Sequence, residues 1–246
     1  MQTIDINCDM GEGLANDALL MPYISSANIA CGYHAGDEKI MKRTIDLALL
    51  NNVAIGAHPG FADKANFGRT EMQVSPTEIY DLVTEQIYGL QKIVASQGAQ
   101  LHHVKPHGAL YNMAAKDASM ANTIAQAVFD VNEALVLFGL SGSYSVTEAK
   151  KAGLTTVSEV FADRTYRDDG SLTPRTEMNA MIETTACAIQ QVLHMILHQT
   201  VISITGKKVP IIAESICIHG DGAHAVDFAK NIYHTLQQNK IGISKI

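Results

Sequence analysis

The stretch HHVKPHGALYN, residues 102–112, crowds a lysine and a histidine around a proline, which is typical of a reaction site rather than of a solvated loop. Lys105 and His107 are two positions apart at the end of an apolar run, and in a strand this spacing points both side chains to the same side. Pro106 stiffens the turn between them. An ammonium group and an imidazole held in this way can stabilise developing negative charge and transfer protons.

Polar side chains also alternate with apolar ones in the run IDINCDMGEG near the N-terminus. Positions 4, 6 and 8 are apolar and fall on one face of a strand, so Asp5, Asn7 and Asp9 fall on the other. Buried carboxylates are costly unless they are paired or functional. We interpret Asp5 as a structural carboxylate and Asp9, which lies in the turn with Glu12, as a functional one.

Several other ionisable residues follow short apolar runs. They are His34, His58, Asp163, Arg164, His219 and Asp221, with Arg175 further along in LTPR. Asp163 and Arg164 fit a structural ion pair as well as a site, and Asp37 fits a helix cap. We expect packed or solvated histidines, in a strand or on helices, at positions 102, 194, 198, 224 and 234. Whether His103 faces into the site stays open.

The elements that must position these residues repeat one pattern, in which a short apolar run ends in a polar cluster and a helical segment follows. Seven such runs predict strands: TIDINCD, ANIACG, VAIGAHP, LHHVKPHG, ALVLFGL, TTVSEVFADR and SICIHGD. Alternating apolar residues on both sides of Gly206 predict a β-hairpin near 201–213, inserted before the last of these strands.

Residues that begin helices lie between several of these runs. Ser75 and Glu78 predict a capping box for a helix whose apolar residues recur on one face. Asp37 and Asp117 can cap two further helices, and Ser145 can open a short one. The remaining predicted helices span about 174–199 and about 223–238.

The alternation of strands and helices predicts a parallel sheet, because each crossover needs room for a helix. No G-x-G-x-x-G follows the first strand, and no P-loop motif occurs. Nearly every run ends in a polar cluster, whereas an open sheet gathers its ligand contacts at one switch point. We therefore predict a single α/β domain, residues 1–246, folded as a seven-stranded β/α barrel with Asp9 near its open end.

Charge and composition exclude several classes of protein. The chain has 18 Lys and Arg against 25 Asp and Glu, a net charge of −7, and no dense basic run, which argues against nucleic acid or an anionic membrane as a partner. No signal peptide and no bilayer-spanning run is visible. The four cysteines show no C-x-x-C spacing, and we expect reduced thiols in a cytoplasmic protein.

Six motifs, in order, carry a resemblance to a known family: DINCDMGEG, SANIACGYHAGD, IGAHPGF with FGRT, VKPHGALYN, EVFADRTY with LTPR, and ICIHGD. They resemble the motifs of the LamB/YcsF family, the family of the A subunits of 5-oxoprolinase. The resemblance implies a distorted TIM-like barrel related to the glycoside hydrolase and polysaccharide deacetylase barrels. It also implies ATP-dependent opening of 5-oxoproline (pyroglutamate) to glutamate, together with two companion subunits.

The implied reaction needs a base for water, positive groups for developing charge, and an anchor for the substrate carboxylate. The catalytic candidates are Asp9 or Asp221 as the base, with Lys105 and His107. The substrate-binding candidates are Asn7, Glu12, His34, His58, Arg164, Arg175 and His219. The arginines and Lys105 can hold carboxylate or phosphate, and the histidines can donate hydrogen bonds or shuttle protons. ATP is the expected cosubstrate, and whether this chain or a companion binds it stays open.

Two other functions stay open at this point. A divalent-metal deacetylase or amidohydrolase would use His34, His58, His107 and His219 as ligands, although we expect no metal because no H-x-x-x-H pair lies on one element. The chain could instead be a non-catalytic subunit that binds the lactam for a partner. Departures from the family pattern, HGDGA, TEMNAMI and LANDALL, bear on loop shape and substrate fit more than on the reaction class.

Overall fold

The computed structural model describes residues 2–219 and 225–246 and contains a closed barrel of parallel strands. The strands in chain order are β1 (Thr3–Met10), β2 (Ser26–Ala30), β3 (Ala54–His58), β4 (His103–Val104), β5 (Val136–Leu140), β6 (Thr156–Phe161), β7 (Thr200–Ile202), β8 (Lys208–Pro210), β9 (Ser215–Ile218) and β10 (Gly242–Ile243). Seven of these described strands pair in the order β1 to β6 and then β9, which returns to β1. The predicted seven-stranded barrel is confirmed, as is the predicted hairpin, formed by β7 and β8.

The helices surround this barrel, and several begin where the sequence predicted. They are α1 (Asp17–Leu20), α2 (Glu38–Leu50), α3 (Pro76–Ser96), α4 (Gly108–Lys116), α5 (Ala118–Val131), α6 (Tyr144–Lys151), α7 (Thr185–His198) and α8 (Ala225–Gln238). Ser75 and Glu78 form the capping box of α3, and the side chains of Asp37 and Asp117 cap α2 and α5. None of the helices in the described ranges combines the length and apolar composition needed to cross a bilayer.

The prediction of a helix over about 174–199 was wrong for residues 174–184, because α7 begins only at Thr185. The preceding segment runs back along the chain that follows β6: Thr165 N donates to Ala180 O and Ile182 N donates to Asp163 O, at 3.1 and 2.8 Å. Asn179 has a φ of 62°, in the left-handed region that a helix does not use. Tertiary hydrogen bonds therefore outweigh the local helical pattern here.

Two smaller features also differ from the prediction. The short helix α6 has Ser143, not Ser145, at its N-cap, and Ser145 lies within its first turn. A short C-terminal strand, β10, was not predicted and pairs with the first two residues of β1. Gly242 N and Ser244 N donate to the carbonyls of Gln2 and Ile4 on the edge of β1 that also pairs with β2, whereas residues 5–8 pair with β9 on the opposite edge.

The parity of β1 places apolar side chains under the helices and polar ones inside the barrel. Ile4 and Ile6 belong to the main hydrophobic core, whereas Asp5 is fully buried and accepts hydrogen bonds from Ser25, Ser26 and Ser215. Burial raises the pKa of Asp5, while these hydroxyls oppose the shift. As predicted, Asp5 is a satisfied structural carboxylate.

The interior has no room for a side chain at Gly56 of β3. A Cβ atom there would lie 2.1 Å from Nε2 of His103, a fully buried ring whose Nε2 donates to Asn28 Oδ1 at 2.8 Å. We expect Gly56→Ala to lower the free energy of unfolding by about 1–3 kcal/mol, because the ring cannot move without losing this bond. Urea unfolding followed by circular dichroism measures the change.

Gly89 provides the matched control, because it lies in α3 with nothing within 4 Å of an added Cβ. Gly89→Ala should leave stability unchanged or raise it by up to about 1 kcal/mol, since alanine favours a helix. Equal stability of the two variants would contradict the tight packing between β3 and β4.

Candidate active site

A cavity of about 470 Å³ opens at the carboxyl ends of the barrel strands. Its ionisable lining residues are Asp9, Glu12, His58, Arg69, Glu71, Lys105, His107, Tyr111, Lys116, Arg164, Arg175 and His219. The structure thus brings most of the sequence-predicted site residues to one place. Asp221 lies outside the described residues.

Lys105 lies at the base of this cavity and is only 2% exposed. Its Nζ lies 3.0 Å from Asp9 Oδ1 and 2.7 Å from Glu159 Oε1, and it also donates to Asn7 Oδ1 at 3.1 Å. Burial disfavours the charged form, but Asp9 and Glu159 raise the pKa of Lys105 well above its ordinary value. The ammonium group therefore stays charged between two buried carboxylates.

Asp9 is held from three sides. Asn28 donates to its Oδ1 at 2.9 Å, Lys105 contacts the same oxygen, and His58 Nε2 lies 3.3 Å from Oδ2. Burial raises the pKa of Asp9, yet His58 and Lys105 outweigh burial and hold that pKa well below its ordinary value. Asp9 is therefore a fixed negative charge and a weak proton acceptor.

Glu159 is a site residue that the sequence analysis missed. It lies in β6, is fully buried, and accepts from the hydroxyl of Tyr111 at 2.6 Å through its Oε2. Burial and then Glu159 raise the pKa of Tyr111 well above its usual range. The sequence held a usable signal for Glu159, because Glu159 and Asp163 are four positions apart in one strand-like run and residues at even spacing in a strand point to the same face.

His219 and Asp163 form a second pair at the cavity wall. Nδ1 of His219 lies 2.8 and 2.9 Å from the two carboxylate oxygens of Asp163. Burial raises the pKa of Asp163, but His219 outweighs burial and holds it below the ordinary value. A carboxylate accepts only, so Nδ1 carries the hydrogen and Nε2 of a neutral ring is left as the proton acceptor.

The two predicted arginines have different surroundings. Arg164 is buried, and its guanidinium donates to the carbonyls of Thr173 and Ala180, which fixes the segment that follows β6. Burial and then Arg175 lower the pKa of Arg164 to about 10. Arg175 is exposed at the cavity rim, where it can reach an anionic ligand.

The predicted histidines separate into two groups. His34 stacks on His107 with ring centroids 3.8 Å apart, and His58 packs edge-on against both rings. Glu12 completes this first group, with Oε1 3.5 Å from His34 Nε2 and 3.6 Å from His107 Nδ1. His219 instead lies with Asp9 and Cys217. The four histidines of the alternative ligand set therefore do not lie together, because His219 is apart from the other three and Glu12 lies with them.

Comparisons with known proteins agree with this architecture. The model of the LamB/YcsF family matches residues 4–246. Proteins named as the A subunit of 5-oxoprolinase, from Brevibacillus brevis and Oceanobacillus iheyensis, are 52% and 51% identical, over 99% and 98% of this chain and 98% and 96% of their own.

Solved structures extend the comparison to the fold. A lactam utilization protein from Thermus thermophilus superposes with a TM-score of 0.93 and 38% identity, covering 100% of both chains. The catalytic domain of a peptidoglycan N-acetylglucosamine deacetylase from Eubacterium rectale reaches a TM-score of 0.54 at 12% identity, over 100% of this chain and 88% of that one, which shows likeness of fold alone. By its sequence along nearly the whole chain, and by its barrel, this protein belongs to the LamB/YcsF family.

Proposed function

We propose that this chain is the A subunit of an ATP-dependent 5-oxoprolinase, which opens the lactam of 5-oxoproline to glutamate together with two companion subunits. The relatives named as the A subunit of 5-oxoprolinase, half identical over nearly their full length, support this assignment. The observation in the structure that carries it is the buried Lys105, held charged at the base of a cavity with cationic side chains at its wall and rim. We place the protein in the cytoplasm, where its free cysteines stay reduced.

The cavity suits a small anionic lactam. 5-Oxoproline has one carboxylate and one ring amide, and Arg175 with Arg69 and Lys116 can take the carboxylate. The lactam carbonyl then points inwards to Lys105, whose ammonium group stabilises negative charge that develops on its oxygen. A water-poor pocket strengthens this stabilisation, because Lys105 and its partners are buried.

Ring opening needs an activated carbonyl and a base. Resonance stabilises the amide, and transfer of a phosphoryl group from ATP to the lactam oxygen would remove that stabilisation. Water then adds to the carbonyl carbon while Nε2 of His219 takes its proton, with Asp163 stabilising the imidazolium that forms. The carbon–nitrogen bond then breaks as the ring nitrogen gains a proton, which leaves the acyl phosphate of glutamate. A second water attacks this acyl phosphate and releases glutamate and phosphate.

This assignment revises the choice of base made from the sequence. Asp9 was a candidate, but its pKa is held well below the ordinary value by His58 and Lys105 against the effect of burial. A carboxylate that is so weakly basic accepts a proton from water poorly. We assign to Asp9 the role of holding Lys105 and His58 in place, and the role of base to His219.

The nucleotide is proposed to bind at least partly on a companion subunit. The chain has neither a P-loop nor a dinucleotide-binding glycine motif. Lys105 and the cationic rim can contact a transferred phosphoryl group without forming a complete nucleotide site.

Arg175→Gln is expected to raise KM for 5-oxoproline about 10–100-fold with a much smaller change in kcat, because a charge-assisted bond to the substrate carboxylate is lost. Steady-state kinetics of the reconstituted complex measure both constants. Arg167→Gln is the control, since Arg167 pairs with Glu177 and does not line the cavity. A fall in kcat at constant KM would contradict a role for Arg175 in substrate binding.

The test of the function is glutamate release from 5-oxoproline and ATP, measured with this chain alone and with its two companion subunits. Release only in the full mixture supports the proposal. No release from an associated, folded complex would overturn it and favour deacylation of a sugar or amide. Turnover that survives in His219→Asn and Lys105→Met would favour a binding subunit that delivers the lactam to a partner.

A further inference from the structure

The hydrogen bonds of two histidines at the cavity fix where their ring hydrogens lie. His58 Nδ1 is 2.7 Å from the carbonyl oxygen of Lys105, and His107 Nε2 is 2.8 Å from that of Phe67. A carbonyl oxygen accepts only, so these two nitrogens carry the hydrogens. In neutral rings, His58 Nε2 and His107 Nδ1 then present lone pairs to each other across 2.8 Å. Such a contact is repulsive unless a positive charge lies against it, either a proton, which makes His58 an imidazolium ion beside Asp9, or a metal ion in the place of that proton.

Further electron-pair donors converge on the same place. His34 is 1% exposed, and neither of its ring nitrogens has a hydrogen-bond partner in the described part of the chain. One donor atom from each of Glu12, His34, His58 and His107 lies within 4.8 Å of the others. Imidazole nitrogens bind metal ions at about 2.0–2.1 Å, so one ion can reach all four after small shifts.

The surrounding backbone holds the stacked rings in place. A Cβ atom at Gly60 would lie 2.8 Å from Nδ1 of His34. A Cβ atom at Gly68 would lie 2.8 Å from the Cβ of His34 and 3.0 Å from Cδ2 of His107. Glycine at both positions lets the chain press directly on the two rings. The cluster is therefore closed on this side and reached through the cavity, which Glu12, His58 and His107 line.

We propose that Glu12, His34, His58 and His107 bind one divalent first-row transition-metal ion. Three imidazoles and one carboxylate suit Zn²⁺, Co²⁺, Ni²⁺ or Mn²⁺ better than they suit Mg²⁺ or Ca²⁺, which prefer oxygen ligands. The proposal revises the expectation, drawn from the absence of an H-x-x-x-H pair, that the chain holds no metal. The ligands come from separate strand ends, where a pattern on one element cannot reveal them.

The experiment is a titration of the chelator-treated full chain with Co²⁺, followed by visible absorption and by calorimetry. We expect one Co²⁺ per chain with saturable ligand-field bands. Glu12→Gln and His34→Asn should each weaken Co²⁺ binding by at least about 10–100-fold, because replacing even a residue that only hydrogen-bonds a metal ligand lowers metal affinity by this factor.

A surface control separates this site from adventitious binding. His194 and His198 lie one turn apart on α7, with ring centroids 4.8 Å apart, and could bind Co²⁺ on the surface. The double variant H194A/H198A should keep the stoichiometric site.

Two results would overturn the proposal. One is a folded wild-type chain that binds no Co²⁺ and no Zn²⁺, which would leave a proton as the cation between His58 and His107. The other is unchanged affinity in folded Glu12→Gln and His34→Asn variants. Binding is measured without lactam, nucleotide or companions, so its failure is distinct from failure of the proposed lactam opening.

Discussion

Lys105→Met is expected to lower kcat of the reconstituted complex about 10²–10³-fold and to lower the free energy of unfolding by about 3–5 kcal/mol. The activity falls because the ammonium group that stabilises negative charge on the lactam oxygen is lost. The stability falls because Asp9 and Glu159 lose the ammonium group that lies 3.0 and 2.7 Å from their oxygens. Glutamate release and urea unfolding measure the two effects.

Two further variants make this prediction sharper. Lys105→Met/Glu159→Gln should recover part of the lost stability without recovering activity, because one uncompensated buried charge is removed. Lys42→Met removes an exposed lysine paired with Glu38 on α2 and should cost at most about 1 kcal/mol. A Lys105→Met protein as stable as the wild type would show that the buried carboxylates do not depend on this lysine.

Asp163→Asn should lower kcat about 10²–10⁴-fold with little change in KM, because the amide neither fixes the N–H on Nδ1 of His219 nor stabilises the imidazolium. The kinetics of the reconstituted complex measure this split. Asp168→Asn is the control, since Asp168 bonds Ser203 and Thr205 beside the hairpin. An equal rise in KM would instead indicate that Asp163 acts in substrate binding.

The same substitution has a pH signature. The folded-state pKa of Asp163 is lowered, because His219 outweighs the effect of burial. Its ionised form therefore contributes stability above the unfolded value of about 3.9, and this contribution is lost as the pH falls through the lower folded value. The stability difference between wild type and Asp163→Asn should be present above about pH 4 and shrink as the pH falls below it. A difference that grows as the pH falls below about 4 would contradict the ion pair.

The sequence predicted those parts of the molecule that depend on local pattern. The parity of IDINCD correctly placed Asp5, Asn7 and Asp9 inside the barrel, and the capping box at Ser75 located α3. Lys105 and His107 were predicted to share the cavity, and they do. Each of these predictions needed only the periodicity of one element and the rule that parallel strand ends meet.

The rest depended on contacts between distant segments. Glu159 becomes part of the site only because β6 places it opposite Lys105, and nothing in TVSEVF indicates that partner. The region before Thr185 has a helical composition, yet it bonds to the chain after β6 instead. The pairing of His34 with Glu12 likewise follows from the closed barrel, which joins two turns that are separate in the sequence.

The pairing of β1 with the last two strands also bears on how the protein is made. Residues 3–4 pair with β10 on one edge of β1 and residues 5–8 pair with β9 on the other, so these contacts join positions about 210 or more residues apart. Such long-range pairing slows folding. The ribosome synthesises β1 first and its partners β9 and β10 last. In the growing chain the barrel is therefore open, Asp5 is exposed to water, and the residues of β1 that pair with β9 and β10 have no strand beside them. Until the final residues are synthesised, association with other chains competes with barrel closure.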